Sequence, residues 1–147
     1  MKNGKSCYSL VSIIGYGTFI TKGVWKNKQN VEVCLIKDFI RIFPEDNWFP
    51  IVLPHINSSF YALKFEVTQK ELNELDYYEG VSENYFKREK IDILTKNNVK
   101  LQAYIYLPSE WLIKKYNLSK SLDKHDRWRE EIKKFPEIIA KFPELVF

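Results

Sequence analysis

The sequence is poor in the residues and patterns that mark several common protein classes. Its 147 residues include only two cysteines, and Cys7 and Cys34 lack the spacing of a metal or redox motif. Both fall in predicted strands, where a buried free thiol is the usual interpretation, and this favours a reducing, cytoplasmic location. No apolar run approaches the roughly 18 residues of a membrane-spanning helix. The apolar start leads into a predicted strand and no small-residue cleavage site follows, which argues against a signal peptide.

A clustered basic face is also lacking. Lysine and arginine number 23 and acidic residues 19, so the net charge is +4, and the two signs are interleaved toward the C-terminus. This pattern is typical of a solvated, ion-paired surface, and we expect no nucleic-acid partner and no membrane partner. The chain has only His55 and His125 and no Cys/His cluster, so we also expect no metal and no cofactor.

Apolar and aromatic residues are abundant, at 45% and 16%, and predict a globular chain with a β-rich core. Alternating or β-branched patterns predict strands at Tyr8–Ile14, Val31–Ile36, Phe60–Val67, Tyr85–Leu94 and Val99–Leu107, and Phe39–Phe43 is expected to continue extended. The prolines of Pro44–Ser59 predict a long irregular segment instead, which we interpret as a binding loop carrying Trp48, Phe49 and His55. Because no βαβ rhythm is present, we expect a mostly antiparallel α+β domain with a closed or nearly closed sheet.

The stretch Thr68–Gly80 predicts a short helix with both ends marked. Thr68 and Glu71 form a capping box, and Gly80 suits a left-handed position after the last turn. Glu79 lies on the apolar stripe of this helix, so a carboxylate points inward at the end where the helix dipole repels negative charge. Burial and the dipole should both raise its pKa, as in a proton shuttle. The alternative is that Glu79 leans into solvent or pairs with a lysine.

Two further stretches are notable. Gly15-Tyr16-Gly17-Thr18 follows the first strand, and its consecutive N–H groups could form an anion-binding turn, although most such turns bind nothing. The tail predicts a helix capped by Ser109 over Glu110–Tyr116, another at Asp126–Phe135, and two Lys-Phe-Pro-Glu repeats with proline starting a new turn. The apolar content of the tail predicts that it docks on the domain body or on a second subunit of a homodimer.

Three motifs together resemble the γ-glutamylcyclotransferase-like superfamily, in particular its small AIG2-like members. They are Gly15-Tyr16-Gly17-Thr18-Phe19, Leu75-Asp76-Tyr77-Tyr78-Glu79-Gly80, and Tyr85 followed by Arg88. Their order and spacing fit the family over about residues 9–106. We therefore predict a γ-glutamylcyclotransferase-like domain over residues 1–108 and a helical C-terminal extension over residues 109–147, packed on it.

The resemblance implies a mixed, mostly antiparallel β-barrel-like sheet with flanking helices. It also implies that the α-amine of a γ-glutamyl substrate attacks its own side-chain amide, releasing an amine and 5-oxoproline without a metal. Glu79 corresponds to the catalytic acid–base. The substrate-binding residues correspond to Tyr16, Gly17, Thr18, Phe19 and Tyr85.

Phe19 departs from the Leu or Asn usual in the family, which should reshape the mouth of the pocket. Asp76 is expected to bond nearby loop backbone and to take no part in the chemistry. Two other functions stay open on the same fold. One is a module that binds a small acidic ligand without turnover, and the other is an interaction protein that uses the C-terminal Phe-Pro repeats.

Overall fold

The computed structural model describes residues 9–43, 47–123 and 127–147. Cys7 and His125 therefore lie outside the described residues, as do the predicted first residues of the first strand and of the Asp126–Phe135 helix. The strands are β1 (Val11–Gly15), β2 (Gln29–Ile42), β3 (Ile51–Val67), β4 (Phe86–Thr95) and β5 (Lys100–Pro108). The α-helices are α1 (Thr18–Thr21), α2 (Gln69–Tyr78), α3 (Glu110–Lys115), α4 (Trp128–Ile132) and α5 (Pro136–Lys141). Short 3₁₀ helices cover Val24–Asn27, Leu118–Asp123 and Pro143–Val146.

The five strands close into a barrel in the order β1-β3-β2-β4-β5. Four of the neighbouring pairs are antiparallel, and β1 closes the barrel by pairing in parallel with β5, where Ile13 lies opposite Tyr104. Closure leaves no exposed sheet edge between these strands. The prediction of a mostly antiparallel, closed α+β fold is confirmed.

Alternation along the strands divides the apolar side chains between two faces. On β1, Ile14 packs in a cluster built almost wholly from strand residues, which is the barrel interior. Its neighbour Ile13 packs in a second cluster together with residues of the helices, on the outer face. Phe65 of β3 and Leu72 of α2 belong to this outer cluster, so α2 lies against the outside of the barrel.

The prediction of one irregular segment over Pro44–Ser59 is wrong, because β3 begins at Ile51 and continues through Pro54 and His55. The β2–β3 ladder shifts register between Lys37 and Phe39, next to Asp38, whose φ is 66°. Proline is tolerated at such an irregularity, where the regular ladder is interrupted. The irregular chain described here is reduced to residues 47–50, which lead into β3 at the mouth of the barrel.

The C-terminal segment packs on the outer face of the barrel. Trp128, Ile138 and Leu145 are buried in the same cluster as Ile13, and the Trp128 indole N–H donates to the Leu145 carbonyl at 2.7 Å. The proline of each Lys-Phe-Pro-Glu repeat starts a helical turn, as predicted. The domain boundary at residues 108/109 stays a prediction. None of the helices in the described part of the chain has the length and apolar composition that crossing a membrane requires.

Candidate active site

A cavity of about 630 Å³ opens at one end of the barrel. It is bounded by the turn after β1, the end of α2, the chain before β3, and α3. The six residues predicted for the site all line it: Tyr16, Gly17, Thr18, Phe19, Glu79 and Tyr85. Three stretches that are far apart in the sequence are therefore brought to one cavity, and the chemical role of each residue stays a prediction.

Glu79 is the C-cap of α2, and local sequence explains its placement. Thr68 and Glu71 form the predicted capping box at the start of the helix, with the Glu71 N–H donating to Thr68 Oγ1 at 3.2 Å and the Thr68 N–H to Glu71 Oε1 at 2.8 Å. Gly80 follows with φ 68°, the left-handed conformation that ends a helix at low energy only for glycine. The helix length is thus set at both ends, and this places Glu79 at the cavity.

The Glu79 carboxylate is partly buried, and the part of the chain that the structure describes gives it no counter-charge. Among the residues that the structure describes, none pairs with it or donates a hydrogen bond to it. Burial raises the pKa of Glu79 from 4.5 to about 7, because a charged carboxylate is less stable away from water. The prediction of a raised pKa is confirmed with burial as its cause, and the alternative of a lysine pair is not found in the described residues.

The turn after β1 leads into α1, whose N-cap is Gly17. The N–H groups of Ile20 and Thr21 both donate to the Gly17 carbonyl, at 2.9 and 3.1 Å. The N–H groups of Thr18 and Phe19 precede these bonds and have no acceptor within the helix. Both residues line the cavity that contains Glu79. The N–H groups of Thr18 and Phe19 are therefore candidate hydrogen-bond donors to a ligand in the cavity that contains the Glu79 carboxylate.

Gly17 is required by a close approach. Its φ is −150°, outside the left-handed region that favours glycine. A Cβ at this position would lie 2.3 Å from Cγ of Pro50, the residue before β3. The turn and the chain before β3 are thus in direct backbone-to-ring contact at the cavity wall. Of the two reasons predicted for Gly17, blocked approach applies and an unsuitable φ does not.

Tyr16 and Tyr106 are two of the tyrosines that line the cavity with Glu79. The Tyr16 hydroxyl donates to the Tyr106 carbonyl at 2.7 Å, across the barrel mouth. Burial raises the pKa of Tyr16 well above its usual value, and the charge of Glu79 adds to this. The pKa of Tyr106 is also raised, first by burial and then by its hydrogen bond to Asp76. Both hydroxyls are therefore neutral at physiological pH.

Asp76 has different partners from those predicted. Within the described residues its carboxylate accepts no hydrogen bond from loop backbone; it accepts from the Arg88 side chain and from the Tyr106 hydroxyl, the latter at 2.6 Å. Arg88 and Tyr106 lie opposite each other on β4 and β5. The carboxylate thus fixes the end of α2 to two strands. Helical spacing predicted the inward direction of Asp76, whereas its partners come from strands that the local pattern does not relate to the helix.

Sequence analysis missed much of the cavity wall. The wall contains six further aromatic residues: Trp48, Phe49, Tyr78, Phe86, Tyr106 and Tyr116. Trp48 and Phe49 were expected in a binding loop, but His55 of the same predicted loop is exposed on β3 and bonds Ser58. Within the described residues, no group of three or more His, Cys, Asp and Glu side chains is arranged to hold a metal ion.

The comparisons with known proteins agree with this architecture. Residues 13–130 match the family model described as gamma-glutamyl cyclotransferase, AIG2-like. The match extends beyond the resemblance found in the sequence, which ended near Tyr106. Among curated proteins, none matches the chain.

Solved structures share the fold at low sequence identity. A solution structure from Arabidopsis thaliana superposes with a TM-score of 0.68 and 17% identity, covering 92% of this chain and 83% of that chain. A structure titled gamma-glutamyl cyclotransferase has a TM-score of 0.57 and 14% identity, with 90% and 88% coverage. A yeast gamma-glutamyl cyclotransferase described as specific to glutathione has a TM-score of 0.59 and 11% identity, with 92% and 89% coverage.

Proposed function

Since this chain belongs to the gamma-glutamyl cyclotransferase, AIG2-like family, we propose that it cyclises a γ-glutamyl amine or peptide to 5-oxoproline and releases the amine. The single observation that carries the proposal is Glu79, a carboxyl group whose pKa burial raises to about 7 in the wall of a cavity. Such a group exchanges protons in both directions at neutral pH. Cyclisation needs a group of this kind because protons must leave one nitrogen and reach another.

The proton balance can be written for Glu79 alone. Its carboxylate takes a proton from the α-ammonium of the substrate, and the freed amine attacks the γ-carbonyl carbon to form the new C–N bond. The attacking nitrogen loses two protons on becoming the lactam N–H, and the departing nitrogen gains two on leaving as an ammonium. Glu79 carries these protons and ends as the carboxylate with which it began. The nucleophile and electrophile are tethered in one molecule, which supplies much of the proximity advantage.

The turn at Tyr16–Phe19 supports the proposal as a binding site for the glutamyl α-carboxylate. The N–H groups of Thr18 and Phe19 have no acceptor within α1, and backbone donors in such turns suit an anion. This would place the charge of the substrate at the turn and its ammonium toward Glu79. Tyr85 packs against Gly80, where an added Cβ would lie 2.6 Å from its ring. Its role would be to fill the wall beside the glutamyl chain.

The experiment is incubation of the purified chain with γ-glutamyl amides and dipeptides, followed by mass spectrometry for 5-oxoproline. The proposal expects 5-oxoproline and free amine in equal amounts from wild-type protein. The Glu79→Gln variant should bind the same compounds and form no product on the same time scale. Tight binding without 5-oxoproline in the wild type would contradict the enzyme proposal and favour a ligand-binding module.

A further inference from the structure

The cavity has more wall than the reacting part of a γ-glutamyl substrate needs. The proposed function uses the Tyr16–Phe19 turn, Glu79 and Tyr85. The rest of the wall is largely aromatic, and three of its aromatic side chains are exposed: Trp48 by 68%, Tyr116 by 60% and Tyr78 by 52%. Exposed aromatic groups gathered around one opening mark a surface that binds an apolar group.

The structure holds this wall in place from both sides. On one side, Arg127 donates to the Phe43 carbonyl at 3.3 Å and to the Asn47 carbonyl at 2.5 Å, which anchors the chain just before Trp48. The Trp48 ring packs edge-on against Phe49, with centroids 4.8 Å apart. The aromatic surface before β3 is thus fixed by the C-terminal segment before any ligand arrives.

The opposite side is built by α3. Ser109 caps this helix by accepting from the Leu112 N–H at 3.1 Å, and its hydroxyl donates to the Asn84 carbonyl at 2.6 Å. The Ser109 N–H donates to the Tyr85 carbonyl at 2.9 Å. These bonds fix α3 beside Tyr85, and α3 together with the residue that follows it brings Leu112 and Tyr116 to the cavity. Two elements distant in sequence therefore present apolar groups to one space.

The rim of the cavity is positively charged. The Lys22 ammonium lies 5.1 Å from the Trp48 ring centroid and 5.8 Å from that of Tyr78. The Lys115 ammonium lies 5.6 Å from the Tyr116 ring centroid. In the described part of the chain, no carboxylate pairs with either lysine. The rim therefore tolerates a neutral or anionic leaving group and disfavours one that carries a second ammonium.

We propose that the amine released by this protein carries an aromatic or large aliphatic group, which binds between Trp48 on one side and Tyr116 with Leu112 on the other. The proposal rests on the function proposed above, because it assigns the leaving-group side of the same cavity. Trp48 and Tyr116 are then specificity-determining residues, whereas Glu79 acts on every substrate alike.

The test compares γ-glutamyl amides that differ only in the amine: ethylamide, pentylamide, phenethylamide and the aminopentyl amide. Binding is measured by calorimetry on Glu79→Gln, whose turnover during the titration should be negligible, and KM and kcat are measured on the wild type. Burial of a phenyl group should make the phenethylamide bind about 10- to 100-fold more tightly than the ethylamide. The pentylamide should bind more tightly than the aminopentyl amide, which adds a cation at similar length.

Variants of Trp48 and Tyr116 test whether these residues cause the preference for the larger amine. Trp48→Ala should raise the KM for the phenethylamide about 10-fold and change that for the ethylamide less than about twofold. Tyr116→Ala, on a different element, should act in the same way and guards against a local folding defect. Tyr77→Ala is the matched control, because this tyrosine is 81% exposed on α2 and does not line the cavity. The control should leave the ratio between the two amides unchanged.

The inference and the function can fail separately. Equal binding of the ethylamide and the phenethylamide, or an unchanged ratio in both Trp48→Ala and Tyr116→Ala, would overturn the inference even if 5-oxoproline is formed. Size-selective binding that disappears in these variants supports the binding site between Trp48 and Tyr116 with Leu112 even if no amide is turned over, and in that case the proposed reaction is the part that has failed.

Discussion

Arg88 binds Asp76 through two parallel hydrogen bonds, Nε to Oδ1 at 2.9 Å and Nη2 to Oδ2 at 3.2 Å. The pair joins β4 to α2 three residues before Glu79 and is partly shielded, with side-chain exposures of 24% and 23%. A two-point contact fixes orientation as well as distance. It therefore determines where the end of α2, and with it the Glu79 carboxylate, lies at the cavity.

Asp76→Asn should lower kcat about 10-fold through misplacement of Glu79 and leave KM within about threefold. It should also destabilise the fold by about 1–2 kcal/mol, because it weakens a partly shielded pair. Kinetics and thermal unfolding measure both effects. Asp92→Asn is the control, since Asp92 forms an exposed pair with Lys100 at 3.3 Å. If Asp76→Asn removes activity as completely as Glu79→Gln, Asp76 belongs to the chemistry and is not a positioning residue.

Glu79→Gln should have opposite effects on activity and on stability. Loss of a positioned acid–base group lowers the rate by about 10²- to 10⁴-fold. The folded-state pKa is raised, so protonation of Glu79 stabilises the fold; this contribution is complete below about pH 4.5 and is lost as the pH rises through about 7. The variant should therefore be more stable than wild type by about 1–3 kcal/mol at pH 8, allowing for partial exposure, and nearly equal to it at about pH 4.

Denaturant unfolding of wild type and Glu79→Gln at pH 8 and at about pH 4 checks the sign of the difference in stability. Glu74→Gln is the matched control, because Glu74 is an exposed residue of the same helix and its replacement should change neither rate nor the pH dependence of stability. A Glu79→Gln protein that is destabilised at pH 8 and turns over at the wild-type rate would refute the assignment.

The pH dependence of kcat/KM should report Glu79 in the free enzyme. Because the carboxylate form must accept the first proton, kcat/KM should rise about tenfold per pH unit below 7 and level off above an apparent pKa of about 7. Initial-rate measurements between pH 5 and 9 at constant ionic strength test this pH dependence, and circular dichroism verifies that the protein is folded at each pH. A profile that is flat through pH 7 would contradict the role proposed for Glu79.

Gly17→Ala should impair ligand binding by more than it impairs stability. The added Cβ would lie 2.3 Å from Pro50 Cγ, so the turn and the chain before β3 must move apart at the cavity wall. We expect about 10-fold weaker binding of a γ-glutamyl amide by calorimetry. Pro50→Ala should restore most of this loss in the double variant, because it removes the ring atom that clashes.

Gly23→Ala is the control for Gly17→Ala. Its φ of 71° makes the substitution unfavourable for the backbone, but Gly23 does not line the cavity. The free energy of unfolding of the Gly23→Ala variant should fall by about 1 kcal/mol, while its binding of the γ-glutamyl amide is unchanged. Equal losses of binding in Gly17→Ala and Gly23→Ala would remove the turn from the binding site.

Features that depend on neighbouring residues could be predicted from the sequence. The capping box at Thr68 and the left-handed Gly80 bound α2 on both sides, and helical spacing then directs Glu79 inward. The alternation of the strands and the absence of a βαβ rhythm predicted a closed, mostly antiparallel sheet. These are properties of short stretches, and short stretches carry their own signals.

Features that depend on contacts between distant stretches could not be predicted from the sequence and are seen only in the folded chain. β3 extends back to Ile51 because it pairs with β2. No sequence pattern within Pro44–Ser59 predicts this extension. Asp76 meets Arg88 and Tyr106, and Gly17 meets Pro50, only because the barrel closes. The aromatic wall of the cavity likewise combines Trp48 with Tyr116. A single sequence records the residues of such pairs but not their distance, because closure of a barrel brings together residues whose separation along the chain carries no periodic signal.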